Sequence, residues 1–95
     1  MTTVKEGFER DLAQVNWREL RIHLRRDALV TVAGALDLVT VATAVTTDDR
    51  VQVETWIAAG QLTKPTAAEL EEWEKSLDKP FLMLIVQPYI LIQAG

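Results

Sequence analysis

The chain has 95 residues, 48% apolar and 25% charged, a balance that argues against disorder and leaves room for one core, so residues 1–95 read as a single domain. It contains no cysteine, which removes disulfides, thiolate nucleophiles and cysteine-rich zinc sites; its lone histidine, His23, cannot by itself furnish a structural metal site. A net charge of -4 opposes binding to phosphate backbones, so no nucleic-acid partner is expected, and the apolar run Phe81 to Val86 is far shorter than the roughly 20 residues that span a bilayer.

Thr3 and Glu6 have the spacing of a capping box, and Phe8, Leu12 and Val15 follow at helical intervals, predicting a first helix over Val4 to Gln14. Met1 to Asp11 has no apolar stretch of signal-peptide type, so the expected location is the cytoplasm. Asn16 and Glu19 repeat the capping signature before a second helix, Trp17 to Arg26, with Trp17, Leu20 and Leu24 on one face and arginines on another. Leu29 to Ala33, closed by Gly34, reads as a brief strand.

Leu36 to Thr47 is rich in valine and threonine, yet Leu38, Val41, Ala42 and Val45 keep a helical period with Thr40, Thr43 and Thr46 opposite; the reading chosen is helix. Asp48 is expected to cap a further helix that turns Val53, Trp56 and Ile57 inward and stops at Gly60. Lys64-Pro65-Thr66 leads into a capping box of Thr66 with Glu69 and a helix with Leu70, Trp73 and Leu77 on its inner face. Beyond Asp78-Lys79-Pro80, Phe81 to Gln93 is the main β element, in which Pro88 marks a turn between two strands or a kink in one.

Taken in order, Trp17, Leu20 and His23, then Leu36-Asp37-Leu38-Val39 with Val41-Ala42, Trp56, Gly60, Lys64-Pro65-Thr66, Trp73, and Val86-Gln87-Pro88-Tyr89 through Leu91 and Gln93 resemble the bacterial domain-of-unknown-function family 2288. The resemblance covers nearly the whole chain. It departs from the family pattern at Leu24 to Asp27, where a Phe-Ala-Arg-Gly type of sequence is usual, and at Tyr89, where tryptophan is common. It implies a compact bacterial protein and supports helix for Leu36 to Thr47, but assigns no activity.

The chemistry-bearing residues are few. His23 has no metal-ligand spacing around it and is more readily a packing residue than a catalytic base; no metal and no cofactor is expected. Asp37 precedes a helix and is explained as a cap, whereas a role as general base would require a partner. Gly7, Gly34, Gly60 and Gly95 are too scattered to form a phosphate-binding loop. Trp17, Trp56 and Trp73 suit core packing. Gln87 and Gln93 are polar within an apolar element, and strand alternation puts Gln87, Tyr89, Leu91 and Gln93 on one face, as a polar network or as an edge facing a ligand or partner.

The expected fold is α+β, with four or five short helices packed on a small sheet formed by Leu29–Ala33 and the Phe81–Gln93 element. The expected function is a non-enzymatic homodimeric interaction module, since apolar residues at both parities of Phe81 to Ile92 call for cover on both faces. Arg18, Arg21 and Arg25 are expected to meet Glu71 and Glu74 either across the dimer or within one chain. The alternative is a small-molecule binder or enzyme with a polar cleft built from His23, Asp37 and Gln87. The candidate ligand or partner residues are therefore His23, Asp37, Gln87, Tyr89 and Gln93.

Overall fold

The computed structural model describes residues 4–22, 28–86 and 89–94. The frame is set by Pro80–Val86 (β4) and Tyr89–Ala94 (β5), which pair antiparallel with Val86 opposite Tyr89 and Phe81 opposite Ala94. Phe81 to Gln93 is thus two strands with a reversal between them, not one kinked strand; Gln87 and Pro88 themselves lie outside the described residues. Leu29–Val32 (β2) runs parallel to β5 on its other side. Two short strands absent from the sequence reading complete the sheet: Ala13–Asn16 (β1) against β4, and Leu62–Thr63 (β3) against β2, both antiparallel. The order is β1-β4-β5-β2-β3.

Because side chains alternate along a strand, the two apolar parities of this sheet face two different layers. On one face Leu84, Val86, Leu91 and Val32 pack with Leu38–Thr46 (α3), Arg50–Ala58 (α4) and Phe8 of Val4–Asp11 (α1). On the other, Phe81, Ile90, Ile92 and Leu29 pack with Trp17 and Leu20 of Trp17–Leu20 (α2) and with Trp73 of Ala67–Glu74 (α5). The fold is α+β, as expected. The argument from uncovered β surface is narrowed: β4 and β5 occupy the middle of the sheet and are hydrogen-bonded on both sides, and helices of their own chain cover most of both faces, but Ile85 and Tyr89, at the joined ends of the two strands, are 51% and 43% exposed. The arginine- and glutamate-rich segments also meet within the chain, Arg21 Nη2 to Glu74 Oε2 at 3.0 Å and Arg18 Nη2 to Asp78 Oδ1 at 3.5 Å.

Helix boundaries follow from caps. α1 stops at Asp11 rather than Gln14, because the next residues are drawn into pairing with β4. Asn16 ends β1 and caps α2, its Oδ1 accepting from Glu19 N–H at 3.2 Å. α2 is Trp17–Leu20, where a helix to Arg26 was expected; residues 23–26 of that expected helix lie outside the described residues. Its first amides donate to the loop before β4, Trp17 N–H to Lys79 O and Arg18 N–H to Leu77 O, both at 3.0 Å.

Asp48 does not cap α4. It sits at φ 57, in the left-handed region, and closes α3: its N–H donates to Val45 O, and Asp49 N–H donates to Ala44 O, the two bonds of a Schellman motif. Asp49 is the cap, its Oδ1 accepting from Gln52 N–H at 3.3 Å. The same motif ends α4, with Gly60 at φ 73, Gly60 N–H on Ile57 O and Gln61 N–H on Trp56 O. The capping box expected for α5 is present, Glu69 N–H to Thr66 Oγ1 and Thr66 N–H to Glu69 Oε1, both at 3.1 Å.

Candidate functional site

Asp37 and Gln93 meet at the start of α3, and both are occupied within the chain. Asp37 is the N-cap, its Oδ2 accepting from Thr40 N–H at 3.1 Å and from Thr40 Oγ1 at 2.8 Å. Gln93 is buried, and its Nε2 donates to Ala33 O at 2.8 Å and Leu36 O at 2.6 Å, tying the turn between β2 and α3 onto the sheet. The Ala33 carbonyl also accepts from Leu36 N–H at 3.0 Å, so the amide adds a second bond there and a bond to the Leu36 carbonyl, which gives it a structural use. His23 and Gln87 lie outside the described residues.

Tyr89 is elsewhere. It shares the face of Leu91 and Gln93, as strand alternation requires, but four residues of strand separate it from Gln93 by roughly 13 Å. Its ring is about half exposed, 43%, and borders a groove of about 550 Å³ between the sheet and α4. Val30, Leu62 and Leu91 form the floor, Val45, Val53 and Ile57 the helical walls, and Thr63, Lys64 and Tyr89 the remaining lining. Register explains the floor: Val30 lies beside Leu91 on β5, and α4 begins where the Schellman turn at Asp48 redirects the chain.

Ile57 is the residue that the sequence reading misplaced. It was expected inward with Trp56; successive helical residues are turned by about 100°, so burying both needs cover wider than one element gives, as α3 has at Val41 and Ala42, and α4 has that cover only on the Trp56 side. Trp56 is 6% exposed and belongs to the core, whereas Ile57 is 55% exposed at the groove. Val53, one turn earlier, lies on the same side and is half-buried. A helical period that predicts one residue too many for its core is the signal that could have located this surface.

The groove's chemistry is limited by what lines it. Lys64, Thr63 and Tyr89 contribute one ammonium and two hydroxyls; among the described residues no carboxylate, imidazole or thiol lines it. Nothing there pairs a nucleophile with a base, while the apolar floor and walls fit hydrocarbon or an apolar side chain. Among the described residues no cluster of three or more histidine, cysteine, aspartate or glutamate side chains could hold a metal ion, and no helix is long and apolar enough to cross a membrane.

The family of proteins of unknown function DUF2288 matches residues 3–94, and the chain belongs to it, as the ordered motifs of the sequence implied. The fold is similar to the solution NMR structure of PA1075 from Pseudomonas aeruginosa, with a TM-score of 0.81 and 32% identity over 99% of this chain and 86% of that one. Among curated proteins, none matches.

Proposed function

We propose that this small protein is a non-enzymatic interaction module that acts as a homodimer in a bacterial cytoplasm. The observation that carries the reading is the groove beside α4: its lining is mostly apolar, opens to solvent at Ile57 and Tyr89, and among the described residues contains no acid–base pair. Exposed apolar surface of this kind costs solvation unless a partner covers it, and a chain of 95 residues has little stability margin with which to maintain it. The contact surface in this reading is the α4 groove, to which the C-terminal strand β5 contributes Tyr89 and Leu91. The bacterial setting draws on the Pseudomonas aeruginosa structure that this chain resembles, and a cysteine-free small chain suits a reducing compartment.

Light scattering coupled to size-exclusion chromatography at micromolar concentration tests the proposal. A mass near twice 10.7 kDa is expected; a mass of 10.7 kDa throughout the accessible concentration range refutes it.

A second reading, a binder of small amphipathic molecules, is favoured by the volume of the same groove, about 550 Å³, which lies within the usual range for ligand pockets. In that reading Tyr89 and Lys64 orient a polar head while the floor holds an apolar body. The cleft of His23, Asp37 and Gln87 has less support, since the Asp37 carboxylate is engaged in capping α3.

A further inference from the structure

We propose that the hollow between α3 and α4 binds the ammonium group of a small aliphatic amine, with Asp49 as its counter-charge and the threonine hydroxyls of α3 as hydrogen-bond acceptors. The hollow has a volume of about 440 Å³ and shares no lining residue with the groove between α4 and the sheet, so the inference is independent of the homodimer reading.

The walls follow from helical spacing. Thr40, Thr43 and Thr47 stand at i, i+3 and i+7 along α3 and its C-cap, and Gln52 and Trp56 at i and i+4 along α4, so each set lies on one side of its helix and the two line the same hollow. Ala44 and Trp56, 8% and 6% exposed, are the buried members of the lining and form its floor, while Thr40, Thr47, Asp49 and Gln52 are exposed around it.

Hydrogen-bond direction gives the lining its character. A threonine hydroxyl has one proton, and each of these is spent inside the chain: Thr43 Oγ1 donates to Val39 O, Thr47 Oγ1 to Thr43 O, and Thr40 Oγ1 to Asp37 Oδ2, all at 2.8 Å. Carbonyl and carboxylate oxygens only accept, so the direction of each bond is fixed, and the three hydroxyls have lone pairs alone to offer a ligand. Asp49 adds a full negative charge. Its Oδ1 caps α4 by accepting from Gln52 N–H at 3.3 Å, and it has no ion-pair partner among the described residues, whereas the neighbouring Asp48 is held by Arg50 at 3.3 Å. Gln52 can turn its amide oxygen to the same ligand.

The complement of such a lining is a positive charge that carries several N–H donors. An ammonium supplies both. Anions often settle at helix N-termini, but here Asp49 occupies that position; the C-terminal end of α3 meets the N-terminal end of α4 at this corner, so the two dipoles oppose one another and the carboxylate sets the sign. A divalent metal ion calls for several carboxylates, and among the described residues Asp49 alone supplies one to this hollow. The floor of Ala44 and Trp56 gives the hydrocarbon of the amine an apolar surface, and the net charge of -4 favours the approach of a cation.

Nuclear magnetic resonance of the 15N-labelled full chain at pH 7 and constant ionic strength tests the site, with n-butylammonium as the probe. Two controls separate its features: n-butanol lacks the charge, and tetramethylammonium keeps the charge but has no N–H donor. Saturable shifts of the Thr43, Thr47 and Gln52 amides are expected with n-butylammonium, and binding at least about tenfold weaker with either control. Asp49→Asn, which keeps a side chain of equal capping strength, should raise Kd about tenfold, and Thr43→Val and Thr47→Val about three- to fivefold each. Glu54→Gln removes the same charge from α4 outside this hollow and should change Kd by less than about twofold. Unchanged dispersion of the spectrum shows that each variant is folded. No saturable shift at those amides overturns the proposal, and so does tetramethylammonium bound as tightly as n-butylammonium. Equal losses in Asp49→Asn and Glu54→Gln would make net charge the cause and overturn it as well.

Discussion

Replacing Trp73 by alanine tests the layer of the core that joins α2, α5 and the sheet. The indole is 6% exposed, and its ring centroid lies 5.0 Å from that of Trp17, tilted by 55°, and 5.0 Å from that of Phe81 in an edge-on contact at 79°. Losing roughly 130 Å² of buried apolar area removes about 3 kcal/mol at ~25 cal/mol per Å². Two aromatic contacts add roughly 0.5–1.5 kcal/mol each, and partial collapse of the cavity recovers some of the total, which leaves about 3–5 kcal/mol. A chain of this length is stable by roughly 5–14 kcal/mol, so the variant loses a large share of its margin. Urea denaturation followed by circular dichroism measures the change at constant m-value. Trp73→Phe, which keeps an aromatic edge toward Phe81, should lose about half as much. A loss below about 1 kcal/mol in Trp73→Ala would refute the claim that this cluster holds α5 to the sheet.

Much of the frame was legible because the relevant signals are local. The Thr66 and Glu69 box, the Asp37 cap and the terminating Gly60 are each specified within a few residues, and each forms as read. The Trp17, Trp56 and Trp73 stripes point into the core for the same reason. What escaped depends on residues far away in sequence. β1 and β3, of four and two residues, are too short to display a period and exist because β4 and β2 present edges to them. The adjacent Asp48 and Asp49 were one residue out of step, since either can cap, and only the left-handed turn that ends α3 decides between them. The site was less legible still. Gln93 announced a need for partners, but those partners are backbone carbonyls about 60 residues upstream, and every residue has one. Tyr89 was singled out and does border the groove; Ile57, Val53 and Lys64 were not, because periodicity tells which residues share a face, not whether another element covers it.

Three further substitutions bear on these local devices. Asp37→Ala should destabilise by about 1 kcal/mol through loss of the α3 cap, read as a lowered urea midpoint, whereas no change would mean that the Thr40 contacts contribute nothing. The two left-handed positions should respond with opposite signs: Gly60→Ala costs about 1 kcal/mol although an added Cβ meets nothing within 4 Å, and Asp48→Gly gains about 0.5–1 kcal/mol by thermal denaturation. Equal signs would refute the strain argument. Gln93→Glu exchanges a donor for a carboxylate facing the carbonyl oxygens of Ala33 and Leu36, acceptor against acceptors in a buried site. Ionised, it should cost about 3 kcal/mol or more relative to the wild type, because the charge is left without a donor, both bonds from residue 93 are lost, and the Ala33 carbonyl keeps only its bond from Leu36 N–H. Protonated, the same side chain can donate one hydrogen bond, so the folded state raises its pKa and binds the proton more tightly than the unfolded chain. Linkage then fixes the sign: the difference from wild type narrows as pH falls through the raised folded-state pKa toward the unfolded value near 4.3, and widens as pH rises. Parallel denaturation of both proteins at pH 7 and pH 5 isolates this effect from other titrating groups, and a deficit that is the same at both pH values would mean that residue 93 does not face those carbonyls.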